Sequence, residues 1–239
     1  TQSGTAWDRL LAASQNELTS GDFSTASADT ALAKAIAYGA NSDSALRDAV
    51  TGWVTSIVAT PPTGNLETVG RTLVVTTVAA DIVGLPEKLH TSFLTWSAAL
   101  KTQDFSGKTL EGWHTGEDVS GALWANAILT TIAVYSNDTD ALATSATQLT
   151  TRLANNWPPS DLAWHHLTPA FISAEMLQRR GYDMFGASNK ALLTALTNLE
   201  AGTTTAADNE KWIYGLAKFR YNHGADAETG TFLAADWIW

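Results

Sequence analysis

The chain has 239 residues, 45% of them apolar and 16% charged, which is enough for one large folded domain with a sizeable core. Its formal net charge of −10 argues against nucleic-acid binding, because no stripe of Lys and Arg is present to neutralise phosphates. The absence of cysteine excludes disulfides, thiolate metal sites and cysteine nucleophiles.

Apolar residues recur at helical spacing in segment after segment, so the sequence predicts an almost entirely helical chain. The third predicted helix ends before Pro61 and the fourth at Gly84, and Pro86 suits the first turn of the fifth. The helices predicted in the first half cover residues 6–19, 27–38, 42–59, 66–83 and 86–102.

A polar loop is predicted over residues 103–116, a second loop over 156–163, and an irregular tail over 222–239. The helices predicted in the second half cover residues 117–135, 139–155, 168–180, 188–201 and 209–221. Short connections make successive helices antiparallel neighbours. About ten helices in antiparallel hairpins therefore predict an all-α fold, an incomplete α/α toroid (barrel), as one domain over residues 1–239. The alternative is an open solenoid, which is less favoured because the sequence has no repeat of fixed period.

The first loop is one candidate site, because the loops on one face of a toroid rim its cavity. It contains Trp113 and His114 and leads into Glu117 and Asp118. A nearby Glu117 carboxylate is expected to raise the pKa of His114, so that the imidazole works as an acid or base near neutral pH. The alternative is that both acidic residues form the charged first turn of a helix.

The second candidate site is the histidine pair that follows Trp164, just ahead of a predicted helix. Adjacent side chains on a regular helix do not face the same way. We therefore expect one of His165 and His166 to be functional and the other to pack or cap the helix. The sequence has no HExxH, P-loop or dinucleotide-binding motif, and no metal or cofactor is predicted.

Two lesser candidates are Arg71 and the run of residues 220–223. Arg71 lies in an otherwise apolar helix, so its charge must reach solvent, a carboxylate or a bound anion. The run includes Tyr221 and offers a guanidinium, a phenol and an imidazole, or else forms a solvated helix end. The ten tryptophans are either core residues or a groove of indoles that stack on sugar rings.

Two blocks of the sequence resemble the alginate-lyase-like family of helical polysaccharide lyases. WANAILTTIAVYSND, residues 124–138, is similar to the family helix that follows an Asn-Asn-His motif. WHHLTPAFISAEMLQRRGYDMF, residues 164–185, is similar to a segment with a Tyr-His motif and its following helix. Residues 65–81 also look like a family helix, and the resemblance covers roughly residues 45–220.

The resemblance implies cleavage of a uronate polymer by β-elimination. Asn, His or Arg neutralises the carboxylate, a Tyr or His base takes the C5 proton, and a Tyr acid protonates the leaving oxygen. His165 is the position that carries over. Val119, Ser120 and Gly121 stand where the Asn-Asn-His motif aligns, and Leu167 stands where the family often has its Tyr.

The predicted roles follow from that resemblance. His165 or His166 is expected to be the base or the neutralising group, His114 a second imidazole, and Tyr221 the acid. The predicted substrate-binding residues are Arg71, Trp113, Glu117, Trp124 and Trp164.

Two other functions stay open at the level of the sequence. A glycoside hydrolase on the same scaffold would need two carboxylates roughly 5–9.5 Å apart. Glu117 or Asp118, paired with Asp161 or Glu175, would supply them. The tryptophans and the missing Asn-His motif also fit a glycan-binding protein without catalytic activity.

We expect a secreted monomer whose partner is a polysaccharide. The low charge is common in secreted proteins, and Asn137-Asp138-Thr139 is a glycosylation sequon compatible with secretion. No membrane partner is predicted, since no run approaches the roughly 20 apolar residues of a membrane span.

Overall fold

The computed structural model describes residues 6–155, 157–158, 162–202, 205–206 and 212–222. Within these ranges the chain forms eleven helices and one short antiparallel hairpin, so the predicted all-α class is confirmed. The chain divides into two compact units, one ending at Leu110 and the other beginning at Glu111. The single toroid domain stays a prediction.

The elements follow one another in chain order. The first unit contains α1 (Ala6–Ser14), α2 (Thr25–Asn41), α3 (Ser44–Ile57), α4 (Leu66–Val83), α5 (Glu87–Leu100), β1 (Asp104–Phe105) and β2 (Lys108–Thr109). The helix α6 (Leu110–His114) leads into the second unit, which contains α7 (Val119–Ser136), α8 (Thr139–Asn155), α9 (Trp164–Arg179), α10 (Ala187–Glu200) and α11 (Trp212–Tyr221).

Two sequence predictions about these elements were wrong. The predicted loop over 103–116 holds the β1–β2 hairpin, in which Asp104 pairs with Thr109, and the five-residue α6. The helix predicted to begin at residue 168 begins at Trp164, so both histidines lie inside its first turn. At the start that the structure shows, the Ala163 N–H donates to His166 Nδ1, and Pro169 lies inside the helix, more than one turn from its beginning.

In the first unit, α2 and α4 lie parallel. The Thr25 and Thr72 hydroxyls are 3.5 Å apart near the helix starts, and a Cβ on Gly39 would lie 3.7 Å from Ile82 near the helix ends. The intervening α3 runs the opposite way, since Arg47 near its start donates to the carbonyl groups that end α4.

The second unit repeats this arrangement with α7 and α9. The Thr131 hydroxyl lies 3.2 Å from Met176 Sδ, and Arg180, just past α9, donates to Asn137, just past α7. The two helices are therefore parallel. The intervening α8 is antiparallel to them, because Arg152 near its end donates to the Gly116 carbonyl ahead of α7.

In the second unit the two parallel helices are more deeply buried than the helix between them. The helices α7 and α9 are buried on most sides, whereas α8 buries one stripe at helical spacing, from Leu142 to Leu153. By length and composition alone α7 would suffice to cross a membrane, but 61% of it is buried inside the protein, as in a core helix. The parallel packing places the first turns of α7 and α9 at the same end of the unit.

A buried ion cluster holds α11 against α9. Glu175 on α9 is 1% exposed, and its carboxylate accepts from Arg179 Nε at 2.6 Å and from Arg220 Nε at 2.8 Å. Both carboxylate oxygens are engaged by guanidinium groups. The cluster therefore compensates a charge that would otherwise be costly to bury.

Replacing Glu175 with Gln should destabilise the protein strongly, because a neutral amide leaves two guanidinium groups without their counter-charge. We expect the free energy of unfolding to fall by about 3 kcal/mol in chemical denaturation. The matched control is Glu17→Gln at an exposed position, which should change it by less than about 0.5 kcal/mol. Equal effects from the two variants would contradict the cluster's role.

Candidate functional site

The end of the second unit where α7 and α9 begin carries most of the predicted site residues. We call it the N-terminal face. It consists of α6, the turn at Gly116, and the first turns of α7 and α9. Arg152 joins it from the end of α8 through its hydrogen bond to the Gly116 carbonyl. Helix N-termini bring unpaired N–H groups and partial positive charge to such a surface.

The two adjacent histidines have different environments. His166 is buried, and its Nδ1 accepts a hydrogen bond from the Ala163 backbone N–H at 3.1 Å. Its neutral ring therefore carries the proton on Nε2. His165 is exposed, and its ring lies 4.1 Å from that of His166, centroid to centroid. The capping residue is thus His166, and His165 is the imidazole that faces solvent.

His114 is 6% exposed and lies 2.7 Å from Asn126, measured from Nε2 to Oδ1. Burial lowers the pKa of His114, and the positive charge of Arg152 lowers it further, against the opposing effects of Asn126 and Glu111. The prediction that Glu117 raises this pKa was therefore wrong. A buried imidazole with a lowered pKa is neutral at pH 7.

Asn126 and Arg152 are the residues that sequence reasoning missed here. The amide pairs with an imidazole twelve positions away, and the guanidinium reaches Gly116 from the next helix. No local motif links these positions, because the first pair forms only when α6 packs on α7 and the second only when α8 packs against the turn before α7. Asn126 Nδ2 and Arg152 Nη1 are both buried without a hydrogen-bond partner among the described residues.

The three tryptophans predicted to bind substrate are all close to the N-terminal face. Trp124 and Trp164 are buried, so their indole faces are covered in this structure. Trp113 is half-buried and packs over Gly121, where an added Cβ would approach Trp113 Cζ3 to 2.7 Å. Of the three, Trp113 retains the most surface for contact with a sugar ring.

The carboxylates proposed for a hydrolase are mostly committed to structural roles. Asp118 is the N-cap of α7, with Oδ1 accepting from the Gly121 N–H at 2.6 Å. Glu175 is held by two arginines. Glu117 is exposed, and Asp161 lies outside the described residues. No group of three or more His, Asp or Glu suited to a metal ion is found in the described part of the chain.

Two predicted site residues lie elsewhere. Arg71 belongs to the first unit, where its guanidinium is 3.1 Å from Asp29, so its partner is a carboxylate of the neighbouring helix. Tyr221 packs edge-to-face on Phe185, past the end of α9, and its neighbour Arg220 binds Glu175. Glu175 is ten positions along α9 from His165, which is about 15 Å of helix.

A different tyrosine lies at the N-terminal face. The ring of Tyr214, on α11, is 5.3 Å from that of Trp164 at an interplanar angle of 59°. Tyr214 is half-buried, whereas burial and the Asp183 charge raise the pKa of Tyr221 well above its usual range. Tyr214 and Tyr221 lie on the same predicted helix. Only the packing of α11 against α9 shows which of the two phenols lies beside Trp164.

Comparison with known proteins leaves the family open. No family model matches the chain, and neither a curated protein nor a solved structure matches it. The alginate-lyase-like resemblance therefore stays a prediction based on the sequence blocks. What the protein does is inferred from the side chains at the N-terminal face.

The burial of His114 makes stability depend on pH. Its folded pKa lies below 6.5, so on acidification the unfolded chain takes up the proton before the folded protein does. Stability is therefore fully present above about pH 6.5 and is lost as the pH falls through the folded pKa. Denaturant titrations across this range should show that loss, and His114→Gln should reduce it. His165→Gln, at an exposed position, should retain the wild-type slope; an unchanged slope in His114→Gln would contradict this assignment.

Proposed function

We propose that this protein is a polysaccharide lyase that cleaves a uronate-containing glycan by β-elimination. The observation that carries the proposal is the exposed imidazole of His165 in the first turn of α9, backed by the anchored ring of His166. An exposed imidazole in that position can act as a general base toward a bound sugar. His165 is also the position that the family resemblance carries over.

The arrangement of helices within each unit supports the proposal. Parallel buried helices with antiparallel return helices are the repeating pattern of an α/α toroid, and both units contain it. In such a fold the helix ends on one face carry the site. The incomplete toroid is therefore part of the proposal.

The reaction requires the uronate carboxylate to be neutralised before the C5 proton becomes acidic. The first turn of α9 offers backbone N–H groups and the positive end of the helix dipole, and Ala163 supplies no side-chain cap. A carboxylate bound there would lie beside His165. The base and the carboxylate-binding group then come from the same helical turn, which fixes their relative positions.

The acid that protonates the leaving oxygen is Tyr214 in this proposal. Its ring packs beside Trp164, the residue before His165, so the phenol and the imidazole belong to the same face. Trp113 and Glu117 would contact flanking sugars, since both retain exposed surface. The proposed chemistry asks for no cofactor. A polymeric substrate outside the cell agrees with the proposed secretion of a monomeric enzyme.

His165→Ala should strongly reduce lyase activity while leaving the fold intact, because it removes the base at an exposed position. The assay offers alginate blocks, glucuronan, pectate and hyaluronan and follows the ultraviolet absorbance of the unsaturated ends. On the responsive polymer, kcat should fall roughly 10²–10⁴-fold. The histidine control is His90→Ala on α5, which should keep wild-type activity.

The same assay distinguishes the other two functions. Reducing ends that accumulate without unsaturation would replace the lyase by a glycoside hydrolase. Retention on a polysaccharide column without any product would replace it by a glycan-binding protein. A lyase activity that survives in His165→Ala would remove His165 from the mechanism.

Tyr214→Phe should lower kcat by roughly 10²-fold or more with little change in KM, because it deletes the proton donor and keeps the packing on Trp164. Tyr221→Phe is the matched control on the same helix and should have wild-type kcat. If the Tyr221 variant loses activity and the Tyr214 variant does not, the acid assigned from the sequence is the correct one.

A further inference from the structure

Trp113 lies on the first turn of α7, in space that a side chain at position 121 would need. A Cβ added to Gly121 would lie 2.4 Å from Trp113 Cε3 and 2.7 Å from Cζ3, closer than non-bonded carbon atoms approach. Gly121 has a right-handed helical backbone, so its conformation does not require glycine. Glycine also weakens a helix relative to alanine. The close approach of the indole therefore explains the glycine at this position.

The indole is held in place from both sides of the turn. The Gly116 N–H donates to the Trp113 carbonyl at 3.0 Å. Trp113 is half-buried, so the part of its ring that does not face Gly121 keeps exposed surface. A fixed and partly exposed indole is a surface on which the C–H face of a sugar ring can stack.

Carboxylates surround this indole. The point that lies 2.4 Å from Trp113 Cε3 also lies 3.0 Å from Asp118 Oδ1, so the carboxylate borders the ring. Glu111 lies on the same short helix as Trp113, and Glu117 precedes Asp118. All three acids are exposed, and residues 111–121 contain no Lys or Arg. The surface around the indole is therefore acidic.

The cation bonded to this segment in the described part of the chain is Arg152. It donates to the Gly116 carbonyl, but it is half-buried, and its Nη1 is enclosed by protein. It therefore compensates at most one of the three carboxylates. The face of an aromatic ring is itself the negative part of its quadrupole. A carboxylate placed on this indole would be repelled both by the ring and by the neighbouring acids.

We propose that the sugar that stacks on Trp113 is uncharged, so that the glycan combines uronate with neutral or N-acetylated sugars. A homopolymer of uronate would place a carboxylate on every sugar, including the one at Trp113. A mixed polymer can offer its uronate to His165 and an uncharged sugar to the indole, where carboxylates accept hydrogen bonds from sugar hydroxyl groups. Gly121 is then a positioning residue. This substrate class rests on the proposed lyase function.

Glucuronan and hyaluronan separate the two classes of polymer, because both contain glucuronate and only hyaluronan alternates it with an N-acetylated sugar. Unsulfated chondroitin is a second polymer of the mixed class. We expect kcat/KM on the mixed polymers to exceed that on glucuronan, alginate and pectate by roughly tenfold or more. Equal or higher values on a homopolymer would overturn the mixed substrate and leave the lyase function standing.

The acid that borders the indole can be neutralised without losing its structural role. Asp118→Asn keeps the cap of α7, because asparagine caps helices as well as aspartate does. It should strengthen glucuronan, as a substrate or as a competitor of hyaluronan, roughly twofold to threefold at low salt. Asp138→Asn makes the same change at the start of α8 and should have no such effect. Equal results from the two variants would remove Asp118 from sugar selection and overturn the proposal.

Two further variants test the placement of the indole. Trp113→Ala removes the stacking surface and should raise KM on hyaluronan roughly tenfold with little change in kcat. Gly121→Ala displaces the ring and should also raise KM, whereas Gly52→Ala on α3, where an added Cβ meets nothing within 4 Å, should not. If Gly121→Ala fails to fold, Trp113→Ala still decides, because it introduces no clash. An unchanged KM in Trp113→Ala would overturn the stacking surface.

The mixed substrate and the lyase function can fail separately. If no polymer is cleaved, the lyase function fails, and retention on immobilised hyaluronan and glucuronan replaces KM as the readout. Retention on hyaluronan that Trp113→Ala weakens would still support the uncharged sugar. Retention on glucuronan alone, or on neither polymer, would overturn it.

Discussion

The parallel packing of α7 against α9 is the constraint on which the rest of the second unit depends. Both helices are rich in alanine on their buried faces, which lets their backbones approach closely. Because they are buried on most sides, a polar side chain that they bury is costly unless it finds a partner inside the protein. His114 with Asn126, and Glu175 with its two arginines, are the results of that requirement.

Local signals predicted the regular helices well. The bounds 66–83 and 139–155 match those of the structure, because Asn65 caps α4, Gly84 ends it in a left-handed conformation, and Asp138 accepts from the first turn of α8. The start of α9 was predicted at residue 168 instead of Trp164, since the actual start depends on the hydrogen bond between Ala163 and His166.

Only part of the candidate site could be predicted from the sequence. The sequence identified both histidine regions, and the expectation that one of two adjacent imidazoles caps a helix matches the bond from Ala163 to His166. It placed Tyr221 beside them, whereas Tyr214 is the phenol that packs there. About two helical turns separate the two tyrosines. A sequence without a known helix orientation cannot say which end meets Trp164.

Pro169 makes the first turn of α9 easier to open than the rest of the helix. Proline has no N–H, so the carbonyl of His165 receives no bond from the position where a regular helix would supply one. The turn that presents His165 is therefore tied to the helix below it by one bond fewer. Its free energy of local opening is lower than that of the buried helix. The exposed imidazole can adjust to what binds it, while the packed part of α9 stays in place.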